Sequence, residues 1–525
     1  MRKILWGTAV AVAGAWVLAS AGPAAAATCT FNPDNQRVLL SLAAEASTIS
    51  VGGGGEILVD GVPCETATTA ETDLIRVFGV AGSDEQLTVD LSGGPFEPGP
   101  TPESGIPEVE IRVTFESDPG DLVGVQGASS GEVIAIFPGG FDLNDDGDQD
   151  LTTTGVPSFV VHGGGGPDRL LVERGVATPS LELHGQAGKD VVRGGDGDDV
   201  LLGGPGDDEV RGGLGADLLL GGPDDDVLSG GGGEDELRGE EGDDVLRGGP
   251  RDDQLFGGEG HDVLGGGGGD DQLFGGPDND VLSGEAGADL MDGGDGTDRA
   301  SFVGAPKPVK ADLRDGSASG WGGDSLVAVE NVTGSAHNDR LTGDAGPNRL
   351  AGLGGDDVLM GLGGPDRLLG GKAKDFIVPG PGKDVVRGGP GGNDLVTLRS
   401  ADGPVKIDLS KGTTSGQGKD DLRGIERAVG SHFDDVITGS AAANTRLVGA
   451  RGDDIIYGLG GDDRLRGGPG KDTLLGGAGD DHLAGGSGAD VLKGQGGNDD
   501  LIGGPGIDTC FQGPGTGVKA SCEKP

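Results

Sequence analysis

GQAGKDVVR GGDGDDVLL GGPGDDEVR GGLGADLLL, residues 185–220, opens a run that keeps a nine-residue register without a slip to Ser301, thirteen units in all. The sixth position is aspartate in every unit: Asp190, Asp199, Asp208, Asp217, Asp226, Asp235, Asp244, Asp253, Asp262, Asp271, Asp280, Asp289 and Asp298. The eighth is Val, Leu or Met, from Val192 to Met291, and only the last unit has Ala300 instead. A disordered acidic coil has no reason to place an apolar residue two places after each aspartate, so the period argues for order despite 115 glycines and 3% aromatics. Six glycine-rich residues make a turn whose positive-φ positions only glycine adopts without strain, which leaves three residues for a short strand. The middle residue of that strand points inward and builds an aliphatic ladder. Two units then form one coil of a flattened right-handed helix, and units n and n+2 stack about 4.8 Å apart. Asp199 lies over Asp217 along one edge and Asp208 over Asp226 along the other, where carboxylates repel unless a cation separates them.

The pattern GGxGxDxUx resembles the calcium-binding nonapeptide repeat of RTX proteins over residues 163–511. The resemblance implies a parallel β-roll with calcium between coils, and the ligand chemistry agrees. Calcium takes six to eight hard oxygens, which two aspartates and turn carbonyls supply, whereas magnesium keeps its waters in a tight octahedron. The repeat positions lack the histidine or cysteine that zinc or copper prefers, and His261 and His482 fall at variable places as solvent-exposed side chains. The first block, 163–301, also includes Asp168. A second, 334–396, carries Asp339, Asp357, Asp366 and Asp384, and a third, 430–511, carries Asp435, Asp454, Asp463, Asp472, Asp481, Asp490, Asp499 and Asp508. Asn348, Asn444 and the lysine-rich unit around Asp375 depart from the pattern, which predicts weak or empty sites there. Good neighbours sum to on the order of twenty calcium ions, whose charge of about +40 offsets a net charge of −50.

Two spacers, 302–333 and 397–429, are themselves homologous: VKADLRDGSASGWGGDSLVAVENV from Val309 aligns without a gap to VKIDLSKGTTSGQGKDDLRGIERA from Val405. They resemble the segments between blocks of bacterial RTX proteins. Alternation at Val309, Ala311 and Leu313 predicts strands that carry the coil onward, and Trp321, replaced by Gln417, reads as local packing.

Arg2 and Lys3, an apolar run from Ile4 to Leu18 and a small-residue stretch ending at Ala27 read as an export signal over residues 1–27, too short to span a membrane. Residues 28–162 hold short β-branched runs between Gly and Pro clusters, predicting an all-β cap or small domain, either a sandwich or the start of the solenoid. Within it FDLNDDGDQDL places Asp142, Asn144, Asp146 and Asp150 around Gly147, a calcium loop (142–153) that resembles the DxNxDGxxD loop of integrin-type propellers. The four cysteines of an exported chain suggest two bridges. A long array separates its ends beyond the roughly 7 Å Cα limit of a disulfide, which leaves Cys29 with Cys64 and Cys510 with Cys522, the latter closing the tail 512–525.

The fold class expected is therefore all-β: a right-handed parallel β-roll solenoid in three blocks. No HExxH occurs, and the one GxSxG match, Gly127 to Gly131, precedes strand-like EVIAIF where a hydrolase needs a helix. The reading is a non-enzymatic, secreted or surface-held calcium-binding module, structural or adhesive, with cell-surface polysaccharide or other cells as candidate partners. A secreted hydrolase with a calcium-stabilised tail is the alternative. The acidic balance argues against nucleic acid, and the mature chain has no second hydrophobic span. The family's C-terminal export signal does not match the N-terminal one here.

Overall fold

The computed structural model describes residues 158–172 and 181–523 and, as strand backbone, further short segments between 28 and 154. The chain divides into two units, 1–125 with 149–157 and 126–148 with 158–525.

In the larger unit the nine-residue units alternate between two parallel sheets. Each strand pairs with the strand two places on, so the register advances by eighteen residues. Val192 lies opposite Val210, Val210 opposite Leu228 and Leu228 opposite Leu246 in one sheet. Leu183, Leu201, Leu219 and Leu237 do the same in the other. These inward residues are fully buried between the sheets. The strands are longer than the three residues expected. Val227–Gly232 and Gln254–Glu259, for example, run on through the first three positions of the next unit. The reason is the register itself: Gly213 lies opposite Gly231 and Leu214 opposite Gly232, so the ladder continues past the aliphatic residue. The turn shrinks to positions four to six. Gly206, at the fourth, has φ 130° beside the carbonyl of Gly188 one coil back, where a Cβ would fall on the oxygen.

The spacers carry the sheets onward by a different route from the one expected. Lys310–Asp312, Ser317–Ser319 and Gly323–Val327 form an antiparallel meander within one sheet. Its last strand pairs backward with Leu290–Asp295 and its first pairs forward with Arg340–Thr342. The second spacer repeats this with Lys406–Asp408, Thr413–Ser415 and Asp421–Arg423, between Val385–Arg387 and Val436–Thr438, but in the opposite sheet. Each spacer thus adds two rungs to one sheet and none to the other. Trp321 sits in the tight connection of the first meander, its ring facing Gly304.

The smaller unit is also built on parallel pairing. Arg37–Ser41, Leu74–Phe78, Glu110–Thr114 and Leu151–Thr154 stack in that order, and Ser47–Val51 pairs in parallel with Gln86–Asp90. Antiparallel neighbours flank these rungs, Thr28–Asn32 with Arg37–Ser41, and Glu56–Val59 with both Ser47–Val51 and Val62–Thr68. In the larger unit the first rungs are Val133–Phe137 on Arg169–Val172 and Ser158–Gly165 on Leu181–Ala187.

Candidate metal centre

The sixth position ends the turn, one residue before the strand, so its side chain folds under the neighbouring coil. The Asp190 N–H donates to Asp208 Oδ1 at 2.7 Å, the Asp208 N–H to Asp226 Oδ1 at 2.7 Å, and the Asp226 N–H to Asp244 Oδ1 at 2.8 Å, along one edge to Asp298. The other edge runs from Asp199 through Asp217, Asp235, Asp253 and Asp271 to Asp289. Asp168 begins the first column by donating to Asp190 Oδ1. The later blocks repeat the arrangement through Asp339, Asp357, Asp366 and Asp384, and through Asp435, Asp454, Asp463, Asp472, Asp481, Asp490, Asp499 and Asp508. Every one of these carboxylates is at most 2% exposed.

In most of these residues one oxygen is therefore spoken for and the other is not. Oδ2 of Asp190, Asp208, Asp217, Asp226, Asp235 and Asp244 is buried and accepts no hydrogen bond from the protein. The same holds from Asp253 to Asp298, for Asp357, Asp366 and Asp384, and for Asp454 to Asp508. Leaving so many carboxylate oxygens buried and unpaired is costly. Burial, with repulsion from the stacked neighbours, pushes the Asp226 and Asp357 carboxyls up to about 8 and those of Asp217 and Asp454 to about 7. The first glycine of each unit shows what lies beside the row. A Cβ on Gly203 would sit 2.4 Å from Asp208 Oδ2 and 2.8 Å from the Gly221 carbonyl oxygen, and Gly212 and Gly239 are cradled in the same way. Carboxylate and carbonyl oxygens converge there from adjacent coils. Among the described residues no three His, Cys, Asp or Glu side chains converge on one point, so backbone oxygens must complete any ligand set. A row of hard oxygens without donors fits calcium.

The columns also hold residues that the period did not single out. Asp324 and Asp420, homologous in the two spacers, receive the N–H of Asp289 and Asp384. Asp394 extends the second block after Asp375, whose lysine-rich unit the sequence set apart as weak or empty, and each has an unpaired Oδ2. Alignment of the spacers held the signal for Asp324 and Asp420. In each block one of the two columns then ends on a glutamate: Asp298 donates to Glu330 Oε2 at 2.7 Å, Asp394 to Glu426 at 3.0 Å and Asp508 to Glu523 at 2.9 Å.

Four ladder aspartates differ because the protein satisfies Oδ2 itself. Asp199 accepts the Gly195 N–H, Asp339 and Asp435 accept the N–H of Ser335 and Ser431, and Asp420 accepts the Thr414 hydroxyl. Asn348 and Asn444 go further, since their amide nitrogens donate to the carbonyls of Glu330 and Glu426, putting a donor where the other coils have an orphan acceptor. At the fifth position a second, exposed ladder runs the other way: Asp225 accepts the N–H of Asp243, Asp243 that of His261, and His261 Nδ1 that of Asn279. His261 is thus engaged as an acceptor, and His482 is an exposed strand residue between Arg464 and Asp500.

Cys510 takes the eighth-position place opposite Leu492, fully buried, and is bonded to Cys522 with Cα atoms 5.9 Å apart. Asp142 closes the strand Gly140–Asp142, while Asn144, Asp146 and Asp150 and the side chains of Asp142, Cys29 and Cys64 lie outside the described residues. So do the export signal and the GxSxG match.

A family model described as the RTX calcium-binding nonapeptide repeat matches residues 184–219, 211–246, 238–273, 265–300, 333–368, 360–396, 441–474 and 475–510. No curated protein matches the chain.

Proposed function

We propose that this chain, which belongs through residues 184–510 to the RTX calcium-binding nonapeptide repeat family, is a secreted or surface-held module that folds on calcium and serves a structural or adhesive role outside the cell. The observation that carries the reading is the row of buried Oδ2 atoms that no protein donor reaches. Their carboxylates and the carbonyls of first-position glycines such as Gly221 would hold the ions, on the order of twenty in all. Calcium, when bound, supplies the positive charge that lets stacked carboxylates stay ionised and ties one coil to the next. The chain's own part is to hold each Oδ1 on a backbone N–H, which fixes the carboxylate plane, and to exclude side chains from the first position, which keeps the carbonyl within reach.

The coupling to folding follows from the thin core. One aliphatic side chain per nine residues leaves little apolar burial to offset the ordering of a glycine-rich backbone. Ion binding then becomes folding energy, and calcium-poor and calcium-rich compartments favour the loose and the condensed chain respectively. The export signal at 1–27 and the acidic surface support an extracellular setting, and the absence of a catalytic constellation in the sequence supports a non-enzymatic one.

Far-UV circular dichroism of the mature chain during a calcium titration, with magnesium as control, tests the reading. We expect a cooperative gain of β signal in calcium alone. A β signal already complete in chelator at pH 9 would remove the coupling, and an equal response to magnesium would remove the ion assignment.

A further inference from the structure

Two runs of arginine stand out on the outer sheet faces of a chain with a net charge of −50. In one sheet Arg299 lies opposite Asn331, Asn331 opposite Arg349 and Arg349 opposite Arg367. In the other Arg427 lies opposite Arg446, and the pairing of Leu447 with Leu465 sets Arg464 on the next rung. The two runs are internal copies. In each, the residue after the glutamate that ends an aspartate column, Asn331 after Glu330 or Arg427 after Glu426, is followed by arginine on the next two rungs. They face opposite sides because the two spacers insert their meanders into opposite sheets.

Like charges stacked one strand spacing apart repel. Arg349, Arg367, Arg446 and Arg464 are exposed, and none forms an ion pair among the described residues. The guanidinium of Arg349 is held below its ordinary range by burial and by Arg367 and Arg299, with no carboxylate pulling the other way. The adjoining column beside Arg349 and Arg367 is Ala351 and Leu369, without an acid.

We propose that these two arginine ladders bind a carboxylated polysaccharide, one chain on each sheet face, running along the solenoid axis. The proposal rests on the surface-module reading above and names its ligand. Guanidinium and carboxylate match as bidentate partners. In a polymer of uronic acids each ring carries one carboxylate, and the arginines recur rung by rung about 4.8 Å apart, so one linear polymer offers several carboxylates to one ladder. The strands Arg349–Gly354 and Arg367–Lys372 are six residues long and carry arginine only at the first, a single line of guanidinium groups that one linear polymer can follow. Single-stranded nucleic acid would need aromatic stacking platforms, and the ladders carry none.

The test uses the calcium-loaded full mature chain and hexagalacturonate, short enough to avoid calcium gelling, with its methyl ester as the uncharged control. Titration calorimetry should give two equivalents per chain, weakened by added salt, and little uptake of the ester. The pair Arg349→Gln with Arg367→Gln should leave one equivalent, as should Arg446→Gln with Arg464→Gln. The four-fold variant should lose saturable binding, while Arg247→Gln, an arginine flanked by Ser229 and Gly265, changes nothing. Unchanged binding by the four-fold variant, or equal binding of the ester, overturns the proposal. So does a wild-type chain that ignores the oligomer but self-associates in sedimentation through the same arginines, since the partner is then a second copy. Circular dichroism in calcium on the same samples separates these outcomes from a failure of calcium-coupled folding.

Discussion

A single aspartate in this molecule does two jobs with two oxygens, and they can be separated by substitution. Asp226→Asn keeps an acceptor for the Asp208 N–H but puts an amide among the orphan oxygens, so we expect fewer bound ions by metal analysis and a calcium midpoint shifted several-fold upward. Asp435→Asn should leave the ion count unchanged, because Ser431 already occupies that Oδ2. Equal losses in both variants would refute the assignment. Proton linkage gives a second check. Asp226, Asp357, Asp217 and Asp454 have folded values of about 7 to 8 against an ordinary 3.8. Folding in chelator therefore takes up protons. That stabilisation is complete below pH 3.8 and is lost as pH rises through 7 to 8. In chelator the β signal should persist at pH 4 and vanish by pH 9, and calcium should restore it. A calcium-free signal independent of pH would sink this account.

At the scale of one rung the first-position glycine and the eighth-position leucine set the tolerance. A Cβ at Gly203 meets Asp208 Oδ2 and a neighbouring carbonyl at under 3 Å, so Gly203→Ala should cost about 1–3 kcal/mol and weaken calcium binding locally. Leu246→Ala empties a fully buried position and should cost about 2–5 kcal/mol by thermal unfolding in calcium. If Leu246→Ala proves neutral, the sheets do not pack on this ladder. Both positions were legible from the period alone, since inward leucine and turn aspartate recur at fixed offsets. The direction of the hydrogen bonds was not, because nothing in the spacing says which coil an aspartate leans toward. Nor were the spacers' paths: Val309, Ala311 and Leu313 alternate as a strand should, but the sequence is silent on whether that strand pairs with its predecessor or leaps ahead. Asp394 escaped notice because an extra residue in GGPGGNDLV, 388–396, breaks the count by one.

For the whole array, stability is a sum over rungs and the contacts between neighbours. Excising Gly221–Arg238, one full coil, should leave a folded protein with about two fewer ions, read by circular dichroism and metal analysis. Excising thirteen residues from Gly221 should break the register and unfold the block. Equal tolerance of both deletions would refute the two-unit coil.

The meanders bear on how such an array can form. Within a block each coil lays itself on the one before, so ordering can travel along the chain like the closing of a zip. At a spacer the order of chain and the order of space part company. The strand Lys310–Asp312 comes first but reaches the completed block only through Ser317–Ser319 and Gly323–Val327, and it is the last of these to emerge that sits on that block. The zip therefore halts twice, at each spacer, until enough chain has emerged to supply the far partner. A protein threaded outward from its N-terminus would close in three strokes, with the pauses written into the strand order itself.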